Sequence, residues 1–423
     1  MKLICTPAKH PNSSGPADLR LELFKYSSLK GRGRIGAAIE RAIDHAGLTP
    51  TARAWDLLSV ALAIISADLA EPRNQSADGW TRRFELHVAV SDPAFWTTQR
   101  PTMEFLFSFL TTDTWRIEFL GKGFLPLPPT KAVLPPEDSV VLLSGGLDSL
   151  VGAIDLIANG KRPLAVSQVV RGDAEKQKQF AARIGSGLRH LPLNHNADLP
   201  HPESPPSQRA RSIAFLAYGV LVATTLAQHQ RGSTIPLYVC ENGFIGINPP
   251  LTGARIGSLS TRTTHPTFLA LFQKLLDAAE LRVRVETPYR LCTKGEMLLG
   301  CKDQMFLKKL APSSTSCGRF NHFANTHCGR CVPCLIRRAA FKRWGERDTT
   351  QYVYKNLAVD STMRFDDIRS AMMAILQAKQ DGLERWLSVT LRSPMIADSA
   401  GLEGVVQRGL DELEAFLVGC GVK

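Results

Sequence analysis

Val140-Val141-Leu142-Leu143-Ser144-Gly145-Gly146-Leu147-Asp148-Ser149-Leu150 is the stretch from which the rest of the chain is best read. Its first half is a short β-branched and aliphatic run, the pattern of a buried parallel strand. From Leu147 to Ala158 the apolar residues Leu147, Leu150, Val151, Ile154 and Ile157 recur at helical spacing. The expected local structure is strand, glycine turn, helix. Such a turn aims backbone N–H groups and the positive end of a helix dipole at one point, which suits a phosphate. Glycines at 145 and 146 allow positive φ and close approach of an anion. Ser144 and Ser149 can donate hydroxyl hydrogen bonds to phosphate oxygens. Asp148 beside an anion suggests Mg²⁺ coordination or ligand orientation.

The spacing is neither that of a Walker-A loop nor that of a dinucleotide-binding GxGxxG turn. It resembles the Ser-Gly-Gly-x-Asp-Ser loop of the PP-loop ATP pyrophosphatases, which cleave ATP between the α and β phosphates. That resemblance implies an ATP site at Ser144, Gly145, Gly146, Leu147, Asp148 and Ser149.

Working outward, 423 residues are enough for two or three domains, and 44% hydrophobic with 21% charged residues describes a soluble globular protein. A formal net charge of +12 favours anionic ligands or partners. No Lys/Arg block marks a nucleic-acid tail, so nucleic acid is a less favoured partner. The N-terminus lacks the apolar core of a secretory signal, and the expected location is cytoplasmic. Ser212 to His229 is uncharged but carries Gly219, Thr224, Thr225 and Gln228; it is read as a buried helix rather than a membrane span.

Residues 1–135 read as an α+β region. Strands are expected over Arg20–Tyr26, Trp80–Val90 and Trp115–Leu120, and helices over Ile35–Ala46 and Trp55–Leu69. Leu125-Pro126-Leu127-Pro128-Pro129 and Leu134-Pro135-Pro136 bracket a stiff linker. From there strands alternate with helices through residue 345, the pattern of a doubly wound parallel sheet in an α/β fold. Strands fall at Val140, Leu164–Val170, His190–Leu193, Ile235–Cys240 and Arg282–Thr287. Helices are expected at Gln177–Arg189, from Arg209, and at Thr267–Ala279. Residues 346–423 read as a helical tail, with Phe365–Ala378 and Leu402–Val418 amphipathic.

Four of the nine cysteines form Cys317-x₁₀-Cys328-x₂-Cys331-x₂-Cys334. Four thiolates close a tetrahedral Zn²⁺ shell with no open position, so the ion would be structural. An iron–sulfur cluster is not excluded by spacing. His322 and His327 are spare ligands, and the five other cysteines read as core or surface thiols.

With these features in view, residues from about 138 to 342 resemble the QueC family, the 7-cyano-7-deazaguanine synthases. The shared features are the Ser-Gly-Gly-x-Asp-Ser loop, the four-cysteine site, Thr287-Pro288-Tyr289 with Thr293-Lys294-Gly295-Glu296, and Arg209-Ala210-Arg211-Ser212. The resemblance implies a PP-loop fold, with ATP, Mg²⁺ and Zn²⁺ as cofactors and 7-carboxy-7-deazaguanine as substrate. It implies an AMP- and pyrophosphate-forming ligase in which the acid is adenylated and ammonia or another amine displaces AMP, giving an amide or a nitrile. Asp148, Lys294, Arg209 and Arg211 would then be catalytic. Where the family has Tyr-Gly-Gln after the second strand, this chain has Arg171-Gly172-Asp173-Ala174-Glu175-Lys176-Gln177. In place of the family's acidic loop stand Glu241-Asn242 and Ser260-Thr261-Arg262-Thr263-Thr264-His265-Pro266. Glu241, Asn242, Arg262 and His265 are therefore candidate substrate contacts, with a structural cap as the other reading of His265. This combination, with a long N-terminal region, is similar to the longer QueC-like proteins of Qat-type anti-phage systems, the QatC proteins. That implies a partner protein as acceptor of the deazapurine, residues 1–135 as a partner-binding region, and a homo-oligomer or hetero-complex. The rival readings are a PP-loop tRNA-modifying enzyme and a non-catalytic nucleotide-binding subunit of a defence complex.

Overall fold

Every residue from Ala54 to Asp68 is buried, which a helix lying on a single sheet cannot achieve. The explanation is a helical layer shared by two sheets. The computed structural model describes residues 1–11, 16–26, 31–169, 172–200, 209–252, 262–358 and 367–422. The first region comprises β1 (Lys2–Pro7), β2 (Leu19–Leu23), β3 (Gly33–Ile35), α1 (Ala37–His45), α2 (Ala52–Ala70), β4 (Arg83–Ala89), α3 (Pro93–Thr111) and β5 (Thr114–Leu120). The second begins with β6 (Ser139–Leu142), α4 (Leu147–Ala158), β7 (Pro163–Gln168), α5 (Ala174–Arg183), β8 (His190–Leu193), α6 (Arg211–Ala223) and α7 (Ala227–Gln230). It continues through β9 (Ile235–Tyr238), α8 (Gly243–Ile247), α9 (Pro266–Ala278), β10 (Val283–Glu286), α10 (Lys294–Gly300), α11 (Gln304–Leu310) and α12 (Val332–Trp344). The tail holds α13 (Asp367–Asp381), α14 (Leu383–Leu391) and α15 (Ser399–Gly419).

The two sheets have orders β3-β2-β1-β4-β5 and β10-β9-β6-β7-β8. Every strand pairing is parallel. Counted within its own region, each sheet runs third, second, first, fourth, fifth. Helix α2 packs on α6 and α3 on α9, while α6 covers β6, β7 and β9. One continuous core therefore spans both regions. This burial on all sides accounts for the apolar run after Ser212. Among the described residues no helix is long and apolar enough to cross a membrane.

The first region is thus a parallel α/β layer, not the α+β mixture expected from its alternating strands. In β4 the residues Phe84, Leu86 and Val88 are buried, while Arg83 is exposed and Glu85 and His87 are half-buried. Alternation there marks a parallel sheet well covered on one face only, and does not require antiparallel pairing. β1, β3 and α3 are not among the elements read from the sequence; α3 carries an internal Pro101 that breaks the helical signal.

The second sheet follows the expected strands, although α5 starts earlier and ends sooner than the expected Gln177–Arg189. Arg171, the prolines at 202, 205 and 206, Ser260, Thr261 and Phe365 lie outside the described residues. The tail helices form a core of their own with α8 and α12, which sets α15 against the elements that carry the site.

Candidate functional site

In the second sheet the strand order reverses between β6 and β9. In an open α/β sheet the crevice beyond such a switch point is where ligands bind. The turn after β6 lies there. Gly145 has φ +84°, a conformation that L side chains rarely adopt. Gly146 is the N-cap of α4. The two serines brace the turn from within. Their Oγ atoms are 3.0 Å apart, Ser144 N–H donates to Ser149 Oγ (3.2 Å), and Ser149 Oγ donates to Gly146 O (3.0 Å). Gln177 Nε2 donates to Ser144 O and Gln168 O, and Thr315 N–H to Gly145 O (3.0 Å). The turn is therefore held before any ligand arrives.

Behind it sits a buried polar cluster. Asp148 Oδ1 pairs with Lys294 Nζ, and Asp148 Oδ2 accepts from Asn242 Nδ2 (2.6 Å) and Asn242 N (3.2 Å). Burial would raise the Asp148 carboxyl, but the Lys294 charge and hydrogen bonds from Glu241, Lys294 and Asn242 hold it below its usual range. Glu241 goes the other way: burial, then the negative Asp148, push it well above the ordinary carboxyl range. Both shifts favour a proton on Glu241, directed at Asp148. A separated pair of this kind is a common arrangement of acid and base in catalytic sites.

Lys294 owes its position to local chemistry. It is the first residue of α10, behind a reciprocal capping box between Thr293 and Glu296. A cation at a helix N-terminus opposes the dipole, and here Asp148 offsets it. Thr293 Oγ1 also donates to Glu412 (2.5 Å), and Arg408 pairs with Glu296 (2.5 Å), so α15 fixes α10 from outside. Next to Glu241 and Asn242 a cavity of about 230 Å³ opens between the ends of β9 and β10 and the tail. Val285, Leu269 and Met395 give it apolar walls, and Thr264 and Thr287 polar ones.

The remaining candidates divide. Arg211 lies beside the turn, its Nε donating to Gln168 Oε1 (3.2 Å) at the end of β7. Arg209 does not reach the turn. It stacks over Trp80 (4.6 Å) and donates to Thr112 (3.0 Å) in the seam between the regions, where Arg82 and Arg73 pair with Asp68 and Asp113. Arg262 donates to Phe109 O (2.7 Å) in the same seam. His265 caps α9 by accepting from Thr267 N and bonds Thr390 O through Nε2 (3.1 Å), which is the structural reading of this residue. Lys176 and Thr315, absent from the sequence-derived candidates, meet at 2.7 Å next to Gly145.

His265 supplies a test of stability. Burial first, with Arg262 adding, lowers its pKa from 6.5 to about 4. The unfolded chain takes up this proton near 6.5 and the native chain only near 4. The contribution is therefore intact above pH 7 and is lost as pH falls from about 6.5 to about 4. His265→Gln is expected to flatten the acid limb of a denaturation-midpoint-versus-pH curve in that window. A curve of unchanged slope would refute the assignment.

The four cysteines form a second centre. Their sulfurs lie within 4.8 Å of one another, all buried. Cys317–Cys331 and Cys328–Cys334 are 3.8 and 3.9 Å apart, close to the roughly 3.8 Å edge of a tetrahedron with 2.3 Å metal–sulfur bonds. Backbone N–H groups of Arg319 and Cys328 point at Cys317 Sγ, and that of Cys331 at Cys328 Sγ, each at 3.3 Å. This donor set fits a closed four-thiolate metal site. His327 is not part of it: its Nε2 accepts from Ser316 N (3.1 Å).

Comparison with known proteins bears on the second region. Residues 263–345 match the family model described as "Queuosine biosynthesis protein QueC". A 7-cyano-7-deazaguanine synthase of Acetivibrio thermocellus is 27% identical over 241 residues, which cover 97% of that protein and 51% of this chain. The similarity supports a QueC-like relationship and leaves about half of the chain without a counterpart in that relative.

Proposed function

We propose that this protein is an ATP-dependent ligase that activates a deazapurine carboxylate, 7-carboxy-7-deazaguanine, and passes it to an amine. The observation that carries this reading is the Asp148–Lys294 pair beneath a braced Ser-Gly-Gly turn at a switch point, beside a cavity suited to a small heterocycle. In the first step a carboxylate oxygen attacks the α-phosphorus of ATP and pyrophosphate leaves, as in PP-loop enzymes. In the second an amine nitrogen attacks the acyl carbon, AMP leaves, and the amine loses a proton. Turn N–H groups and the start of α4 hold phosphate oxygens, while Lys294 and Arg211 supply positive charge. Glu241 faces the cavity from the Asp148 side, placed to donate to or accept from the reacting acid.

Both Asp148 oxygens are engaged by Lys294 and Asn242. That arrangement suits an orienting role better than a Mg²⁺ ligand, so magnesium is expected to be held by the phosphates. Zinc is the ion that best matches the four cysteines, in a structural role. The similarity to Qat-type proteins leads us to propose a cytoplasmic role in phage defence, with a partner protein as the amine. The first region and the tail, which lie outside the residues 263–345 matched by the family model, are the places for its recognition.

The test is pyrophosphate release from Mg-ATP with and without 7-carboxy-7-deazaguanine, followed by mass spectrometry of the candidate acceptor. Release that needs the deazaguanine, together with a deazapurine mass on the acceptor, is the expected result. Release indifferent to the deazaguanine would sink the substrate. An unmodified acceptor would sink the conjugation while leaving the ligase chemistry in place.

A further inference from the structure

The segment 172–177, where the chain departs from the QueC pattern, packs directly on the Ser-Gly-Gly turn. A Cβ at Gly145 would lie 3.4 Å from Gln177 Cγ and 3.5 Å from Asp173 Cβ. Lys176, in the first turn of α5, extends to Thr315 Oγ1 (2.7 Å). Thr315 in turn donates its N–H to Gly145 O and its hydroxyl to Asp173 Oδ1 (2.8 Å). The ammonium also lies 4.0 Å from the centre of the Phe320 ring. Thr315, through its hydroxyl and its backbone N–H, thus links Lys176, the turn and the segment leading into Cys317.

A structural role alone explains this poorly. A cation in the first turn of a helix is disfavoured by the dipole. The charge of Asp173 reaches Lys176, but through the Thr315 hydroxyl and not as a direct ion pair. An ammonium has three N–H donors, and Thr315 takes one. Lys294, the other lysine of the site, is committed to buried Asp148. A triphosphate bound at the turn carries several negative charges, and departing pyrophosphate gathers more on its bridging oxygen. One lysine shared with a carboxylate and Arg211, held by Gln168, do not match that charge.

We propose that Lys176, tethered by Thr315, is a further cation of the turn and binds the terminal phosphates of a nucleoside triphosphate, the part released as pyrophosphate. This rests on the ATP reading above. It adds a polyphosphate subsite on the α5 side of the turn, supplied by a residue outside the QueC-like motifs.

The experiment is calorimetric titration of the full chain with ATP, pyrophosphate and AMP, using wild type, Lys176→Met and Lys176→Arg. Metal content and melting temperature are checked first. Lys176→Met is expected to weaken ATP and pyrophosphate by about tenfold to a hundredfold, the range of a charge-assisted hydrogen bond. AMP is expected to bind as before, and Lys176→Arg to recover most of the loss. Unchanged pyrophosphate affinity in Lys176→Met would overturn the proposal. So would an equal loss for AMP, which is what a merely structural brace predicts. A wild-type chain that binds none of the three would remove the ATP reading itself, and this subsite with it.

Discussion

Asp148→Ala is expected to abolish substrate-dependent pyrophosphate release, a fall of about a thousandfold or more, and also to destabilise the fold. Asp148 touches Lys294, Asn242 and Glu241 together. Without it the buried Lys294 ammonium loses its ion-pair partner. Breaking a buried pair from one side costs about 3–5 kcal/mol. Activity and stability then separate in the double variant Asp148→Ala/Lys294→Met. Removing both charges is expected to return most of the lost stability in urea denaturation while leaving the chain inactive. If Asp148→Ala kept its pyrophosphate release, the cluster would not be the reacting centre. If the double variant were no more stable than the single one, the pair would not be the buried charge couple described.

Cys328→Ser is expected to have the second large effect, and at a distance. Cys317 adjoins Ser316 and Thr315, and Thr315 is bonded to both Gly145 and Lys176. The same segment is gripped by fully buried Arg337, which donates to Ser314, Ser316 and Ala311 O. Loss of one thiolate opens the tetrahedral shell. In small metal domains the bound ion contributes on the order of 10 kcal/mol to folding. Here the variant should lose its metal, melt at lower temperature, and bind ATP weakly because Thr315 no longer holds the turn. Metal analysis, a melting curve and ATP titration check the three in turn. Full metal content with unchanged melting would mean that Cys328 is not a ligand.

The parts of the site readable from sequence are those whose chemistry is local. Ser144 to Ser149 form one turn, and the four cysteines form one spaced set. Glu241 and Asn242 could be placed because they follow a strand in a parallel sheet, where ligands gather. Direction is harder than position. Arg209 and Arg211 stand two residues apart, but α6 begins at Arg211, and the two side chains end up on opposite business: one in the domain seam, one by the turn. Arg262 is likewise drawn to Phe109 by a tertiary contact that no local pattern encodes. Lys176 and Thr315 are 139 positions apart, and nothing at either residue announces the other. In the first region the period-two pattern was real, but it reports which face is covered and not which way the neighbouring strand runs.

The shared helical layer also has a consequence in time. α2 ends at Ala70 and its partner α6 begins at Arg211, about 140 residues later. At a synthesis rate of roughly 5–20 residues per second, α2 leaves the ribosome about seven to thirty seconds before the surface that covers it. During that interval a newly made first region presents an uncovered aliphatic flank. Its productive folding therefore depends on how quickly translation proceeds through the linker and the second sheet, and on whatever shields that flank until α6 arrives.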